Sequence, residues 1–312
     1  MGALSILLMG RAPKPMTEKQ SDQRIDDGLS VTFWGTRGSI AVPGRETVVY
    51  GGNTACLEVV VARAGCKTAI VVDAGTGLRP LGDSRIWREG DVVHLLLTHL
   101  HHDHVIGLPF FKAIHTKGLT LHIWCGNLDG KSAEAELDRM FSPPLFPLRL
   151  SQVSATIIFH DFRAGEAINI TGERILTHLL RHPSGATGYR FAGAGGDVAI
   201  ITDIEHEPDG PEPGLVDFCR GAGMVVYDTM LCDSEYGTCR GWGHSTAAAA
   251  VKLMRAAAAG QLVGFHHGPA QTDANLAQRE AAMQALWPRS LMSREGETLR
   301  SGAVASPVRK MA

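Results

Sequence analysis

Residues 98–104 read Thr-His-Leu-His-His-Asp-His, so four imidazoles and a carboxylate fall within six residues, directly after the apolar run Val92–Leu97. Imidazoles crowded in this way repel one another when protonated and compete for hydrogen-bond partners when neutral, so a bound cation is the physical reason to keep them together. Neutral imidazole and carboxylate with little thiolate suit Zn, Mn or Fe. Six residues cannot close two coordination spheres. A chain built on this cluster must therefore bring further ligands to it from distant segments.

Short β-branched runs recur along the chain, at Val31–Trp34, Leu57–Ala62, Thr68–Val72, Val92–Leu97, Leu119–Trp124, Thr156–Phe159, Val198–Ile201, Met224–Tyr227 and Leu262–Phe265. Most are apolar almost throughout, as in strands covered on both faces. The clearest helical stretches are Lys131–Met140, Ser245–Ala259 and Thr272–Leu286, the second with Ser245 as N-cap and Gly260 as its close. Strands interspersed with helices favour sheets covered by helices over a bundle or a bare sandwich. Several strands end directly in an ionisable residue or a glycine turn, where sites collect in α/β proteins. Residues 11–29 are polar, Pro-containing and aperiodic, and with the short apolar start Met1–Arg11 they predict a flexible extension over residues 1–29 before a single domain over residues 30–312. The stretch Ser142–Pro147, Ser-Pro-Pro-Leu-Phe-Pro, reads as a loop or a flap over a site. Six cysteines without a C-x-x-C pair read as buried free thiols.

The cluster is one of a series of motifs. Phe33-Trp34-Gly35-Thr36-Arg37-Gly38-Ser39, Tyr50-Gly51-Gly52-Asn53-Thr54, Val72-Asp73-Ala74-Gly75-Thr76-Gly77, the histidine cluster and Phe265-His266-His267 follow in order over residues 31–295. In these the chain resembles the metallo-β-lactamase-fold hydrolases, in the branch that holds RNase Z and the phosphoribosyl cyclic-phosphate phosphodiesterases. The resemblance implies an α/β, four-layer αββα sandwich, with two packed mixed sheets and helices on the outer faces. It also implies two divalent metal ions, Zn2+ first and Mn2+ or Fe as alternatives. His99, His101 and His182 would hold one ion and Asp103, His104 and His266 the other, with Asp203 bridging. His102 and His267 are the ambiguous neighbours, since a one-residue shift would exchange either for a ligand. Asp73 would orient a ligand imidazole, a role that metal-binding histidines generally need filled.

Two ions held close together supply a bridging hydroxide at neutral pH and clamp the oxygens of an in-line displacement. The same fold hydrolyses β-lactams, thioesters and lactones, so further features must choose. Gly243-His244-Ser245-Thr246 opens the Ala-rich helix, and Val225-Val226-Tyr227-Asp228 ends a strand upstream. Both resemble motifs of the RNase Z branch, in which the histidine, held by the acid, protonates the leaving alkoxide. The expected catalytic residues are thus Asp103, His244 and Asp228. Arg37, Asn53 and Arg190 are weaker candidates for phosphate or base contact, with structural hydrogen bonding the better reading of each.

Lys plus Arg is 30 and Asp plus Glu is 32, for a net charge of −2. No basic excess marks an extended nucleic-acid partner, and no long Gly/Pro-rich basic arm is evident. The expected substrate is a small phosphodiester, a cyclic nucleotide or cyclic sugar phosphate. A tRNA 3′-end endonuclease and a thioester or lactone hydrolase are the alternatives, with a non-catalytic ligand-binding module behind them. No apolar run approaches the ~20 residues that cross a bilayer, and Met1–Arg11 lacks the basic start and cleavage site of a signal peptide, so no membrane partner and a cytoplasmic setting are expected. The resemblance admits a homodimer.

Overall fold

The computed structural model describes residues 27–302. All but the last three residues of the expected 1–29 extension lie outside the described residues, and Gly28 and Leu29 already belong to the first strand, β1 (Gly28–Gly35). The first sheet continues with β2 (Cys56–Arg63), β3 (Cys66–Val72), β4 (Val92–Leu97), β5 (Thr120–Gly126) and β6 (Thr156–Phe162). The second is built from β7 (Ala167–Ile170), β8 (Glu173–Leu180), β9 (Ala186–Phe191), β10 (Val198–Ile201), β11 (Met224–Asp228), β12 (Gln261–Phe265) and β13 (Ser290–Met292). The last strand, β14 (Thr298–Arg300), returns to β1. The sheet orders are β14-β1-β2-β3-β4-β5-β6 and β13-β12-β11-β10-β9-β8-β7. Each sheet is mixed in the same way: β1–β3 and β7–β10 pair antiparallel, then β3–β6 and β10–β13 pair parallel.

Helices α1 (Leu78–Asp83), α2 (His102–Val105) and α3 (Ala133–Met140) accompany the first sheet. With the second go α4 (Pro213–Cys219), α5 (Asp233–Tyr236), α6 (Ala247–Ala256) and α7 (Asp273–Leu286). The strand sequences set this layering. Ile70 and Val72 of β3 enter the core between the sheets with Val198 and Ile200 of β10. Val71 turns the other way, toward Leu78 and Leu81, and Ala199 and Ile201 turn toward α4 and α6. A strand buried on both faces must be apolar at every position, which accounts for the unbroken hydrophobic runs. The result is the four-layer αββα sandwich. Among the described residues, no helix is long and apolar enough to cross a membrane.

Some local expectations need correction. Thr246, not Ser245, caps α6, accepting from the Ala249 N–H at 3.3 Å. Ala258 rather than Gly260 takes the left-handed conformation beyond its end, at φ 49°. Cys56, Cys125 and Cys219 are buried, but Cys66 is exposed and Cys232 and Cys239 half-buried. The Pro-rich stretch packs Phe146 against Phe110 and Phe141 on the helical layer, while Leu145 borders a shallow pocket with Leu100 and His102.

The parallel strands position the site. Their carboxyl ends carry Asp73 after β3, residues 98–104 after β4, Asp203 after β10, Asp228 at the end of β11 and His266 after β12. Crevices outside such strand ends are where ligands bind in α/β sheets.

Candidate metal centre

Thr98 follows β4 and ties its loop to the neighbouring strand. Asp73, fully buried, accepts from the Thr98 N–H at 2.8 Å, from the Thr98 hydroxyl at 2.9 Å and from His104 Nδ1 at 2.8 Å. The ring must carry a hydrogen on Nδ1 to donate to a carboxylate, which leaves Nε2 as the nitrogen that faces the cluster; burial opposes its charge, but Asp203, Asp73 and Asp103 raise its pKa well above the ordinary histidine value, so a metal would replace a proton on Nε2. That nitrogen lies 3.3 Å from both Asp103 Oδ2 and Asp203 Oδ2. Asp103 and His104 ride on the single turn α2, and Asp103 Oδ2 also accepts the Ser39 N–H at 2.7 Å.

Asp73, Asp203 and His266 have φ of 63°, 52° and 61°. Left-handed backbone is uncommon outside glycine and collects at functional sites. Here it turns Asp203 and His266 toward each other at the cluster and Asp73 toward His104 Nδ1 behind it. His266 Nε2 sits 3.2 Å from Asp103 Oδ2 and 3.2 Å from Asp203 Oδ1. Gly38 lies against its ring: a Cβ there would fall 2.2 Å from His266 Cε1. His182 donates from Nδ1 to the Gly243 carbonyl at 2.8 Å, so its Nε2 faces His101 Nδ1 at 3.1 Å and lies 3.9 Å from Asp203 Oδ1.

Among the described residues, five sets of side chains offer ligand atoms within 4.8 Å of one another: His99, His101 and His182; His99, His104 and Asp203; Asp103, His104 and His266; and two that include His244, with His182 and Asp203 and with Asp228 and His266. Asp203 touches both halves, as a bridging carboxylate would. His99 Nε2, His104 Nε2 and Asp203 Oδ2 are buried and have no hydrogen-bond partner. Leaving such an atom without a hydrogen bond costs about 1–3 kcal/mol, and three such ligand atoms facing one another are what a donor set retains for a cation. The residues therefore fit divalent metal ions. Burial, with the nearby imidazoles, holds His99, His101 and His182 below the ordinary histidine value and so neutral. For Asp203, burial is outweighed by His266 and His104, and the carboxyl is held well below its usual range.

The two ambiguous neighbours separate cleanly. His267 donates from Nε2 to the Ser293 carbonyl at 2.9 Å, away from the cluster, and burial pushes its pKa down to about 3. His102 is exposed and belongs to none of these sets.

Beside the cluster, His244 donates from Nδ1 to Asp228 Oδ2 at 2.9 Å and stacks on His266 at 5.0 Å between ring centroids. Asp228 is fully buried and held by the Met230 N–H at 2.9 Å and the Ile204 N–H at 3.3 Å. Burial opposes the charge on His244, but Asp228 overcomes it and raises the pKa to about 9. Arg37, Asn53 and Arg190 are spent on structure. Arg37 donates to the carbonyls of Gly51, Gly268 and Gln271, Asn53 bonds Glu295 and Thr76, and Arg190 bonds Asp197 and the carbonyls of Phe218 and Arg220. Sequence reasoning passed over Thr98, Ser39 and Glu205. Each acts through a backbone group or on one, and leaves no signature in residue type.

The fold and this donor set define a metallohydrolase, and the family model described as Beta-lactamase superfamily domain matches residues 68–267. The chain belongs to the metallo-β-lactamase superfamily and is a metal-dependent hydrolase. Among curated proteins it is 24% identical over 254 residues to a Ribonuclease Z of Phocaeicola vulgatus, covering 65% of this chain and 78% of the relative. A Ribonuclease Z of Bacteroides fragilis is 22% identical over 279 residues, covering 72% and 87%. Among solved structures, the metallo-beta-lactamase fold protein YhfI from Bacillus subtilis superposes with a TM-score of 0.63 at 18% identity, over 88% of this chain and all of its own. The short form of human tRNase Z gives 0.59 at 18% identity, covering 86% and 98%. A diphosphatase from the PhnP family gives 0.58 at 17%, covering 87% and 97%.

Proposed function

We propose that the chain is a phosphodiesterase that cleaves a small diester, a cyclic nucleotide or cyclic sugar phosphate, at a two-metal site. The observation that carries this reading is the His244–Asp228 pair beside the ligand cluster. Expelling an alkoxide is the costly step in diester cleavage, and a positioned general acid is worth about 10²- to 10⁴-fold. An acyl transfer from a thioester, whose thiolate leaves readily, has much less need of one.

His99, His101 and His182 would hold one ion and Asp103, His104 and His266 the other, with Asp203 between them. Two divalent ions bound there, Zn2+ or in its place Mn2+ or Fe, would supply Lewis acidity toward the phosphoryl oxygens and a water of lowered pKa. Asp103, fixed by the Ser39 N–H, accepts a hydrogen bond from the attacking water. His244 gives its proton from Nε2 to the leaving oxygen, while Nδ1–H stays on Asp228 and stabilises the imidazolium beforehand. The near-neutral charge favours a small substrate over an extended polyanion. The proposal extends to a cytoplasmic setting without a membrane partner and admits a homodimer.

A nuclease acting on tRNA 3′ ends is the second reading, favoured by the relatives named Ribonuclease Z. The test is a panel of bis(p-nitrophenyl) phosphate, 2′,3′- and 3′,5′-cyclic nucleotides, a precursor tRNA, a thioester and a lactone, with and without chelator. Chelator-sensitive turnover of the small diesters supports the proposal. Cleavage of precursor tRNA alone transfers it to the nuclease reading, and turnover of thioesters or lactones alone overturns both.

A further inference from the structure

The loop Gly241-Trp242-Gly243 runs between α5 and α6 and delivers His244 to the site. Its carbonyl at Gly243 orients His182, a proposed ligand, and its next residue is the proposed acid. Whatever holds this loop therefore sets two functional imidazoles at once. Gly243 has φ 86°, and a Cβ there would fall 2.2 Å from His182 Nδ1, so loop and imidazole are in contact with no space between them.

A buried carboxylate holds the loop at both glycines, and the Trp242 N–H donates to the Cys239 carbonyl at 3.1 Å. Glu205 Oε2 accepts the Gly241 N–H at 2.8 Å and the Gly243 N–H at 3.0 Å. Its own N–H donates to the Arg181 carbonyl at 2.8 Å, joining it to the residue before His182. Glu205 is 6% exposed and makes no ion pair with Arg or Lys among the described residues; Arg181, beside it, pairs with Glu207 at 2.6 Å. A buried carboxylate must be compensated by hydrogen bonds, and the two loop N–H groups are the compensation. The neighbours of Glu205 act on the same elements. Asp203 enters the metal cluster, Ile204 donates its N–H to Asp228 Oδ2, and His206 Nδ1 lies 2.8 Å from Ser245 Oγ. Four consecutive residues thus link the cluster to the segment carrying the acid.

We infer that Glu205 is a positioning residue that sets His182 for metal binding and His244 for proton delivery through the Gly241–Gly243 backbone. The inference rests on the proposed roles of those two histidines, and its metal arm is independent of which ester is cleaved. Partners that orient ligands typically change metal affinity by about 10–100-fold when removed.

The test compares Glu205→Ala, Glu205→Asp and Glu205→Gln with the unsubstituted chain, by Zn2+ competition against a chromophoric chelator. The same proteins are assayed on diesters with p-nitrophenolate and with alkoxide leaving groups. Gln keeps an oxygen able to accept both N–H bonds, so it should stay within about 3-fold of wild type in both assays, while Ala weakens one Zn2+ step by about 10–100-fold. Asp, one methylene short, should fall between and carries the test if the Ala protein does not fold. In the kinetic arm, Ala should lower kcat more for the alkoxide than for p-nitrophenolate, which leaves without protonation. Wild-type Zn2+ affinity in the Ala and Asp proteins overturns the inference, as do equal losses in Ala and Gln. If no diester is turned over by the unsubstituted chain, the phosphodiesterase reading fails, and the Zn2+ measurement still decides the role of Glu205.

Discussion

Asp73→Asn changes one buried oxygen to an amide of the same shape, and its consequence can be worked through atom by atom. The amide oxygen can still accept from Thr98, whose N–H lies 2.8 Å from Oδ1. The amide NH2 then faces His104 Nδ1, 2.8 Å from Oδ2, and two donors cannot meet there. His104 must carry its only hydrogen on Nε2, the nitrogen that lies 3.3 Å from Asp103 Oδ2 and Asp203 Oδ2. A metal at Nε2 would then force the hydrogen back to Nδ1, against an amide NH2 instead of the Asp73 carboxylate. A bond to a charged acceptor contributes about 1.5–3 kcal/mol, which corresponds to about 10- to 150-fold in an equilibrium constant at 1.4 kcal/mol per decade. The usual effect of removing an orienting partner, about 10–100-fold in metal affinity, covers the same range. The expected result for Asp73→Asn is Zn2+ affinity reduced by one to two decades with the far-UV spectrum unchanged. Wild-type affinity in a folded Asp73→Asn protein would refute the assignment of the His104 hydrogen on Nδ1.

The other expectations follow from the same geometry. His244→Ala should keep its metal content and lose about 10²- to 10⁴-fold in kcat on alkoxide leaving groups, with a smaller loss on p-nitrophenolate; an equal loss on both would remove it from acid catalysis. Asp228 raises the pKa of His244 against burial, and an acid acts only while protonated, so activity should fall as pH rises through that ionisation. Asp228→Asn should move the fall to lower pH in a kcat–pH profile, and an unmoved profile would count against the pair. Gly38→Ala places a methyl 2.2 Å from His266 Cε1, so one equivalent of metal should be lost on desalting, as read by elemental analysis. Metal that binds only the folded chain stabilises it by about 2.7 kcal/mol at 100 times its Kd, so chelation should lower Tm and Zn2+ restore it.

The sheets were legible because strands buried on both faces are apolar throughout: β4 and β10 have the bounds read from Val92–Leu97 and Val198–Ile201. Five strands were passed over: the three-residue edge strands β13 and β14, too short to show a pattern, and β7, β8 and β9, which lie toward the other edge of the second sheet. There Arg174, Thr177 and His178 interrupt β8, and β9 opens on Ala-Thr-Gly. Tertiary pairing rather than residue preference makes them strands. The cluster at residues 99–104 was legible from residue types alone, whereas His182, Asp203 and His266 were expected from the family resemblance, and the arrangement of the set was not legible at all. The choice of His266 over His267 depends on a left-handed backbone at His266 and on the Ser293 carbonyl that takes His267. The roles of Thr98, Ser39 and Glu205 depend on contacts across 25, 64 and 36–38 residues, which no local pattern records.

The most direct test of the central claim is turnover of 2′,3′- and 3′,5′-cyclic nucleotides by protein carrying a measured metal content, beside His101→Ala. Two equivalents of metal, chelator-sensitive hydrolysis and its loss in His101→Ala are the predicted result. A protein loaded with two metals that hydrolyses thioesters or lactones and leaves every phosphodiester intact would contradict it.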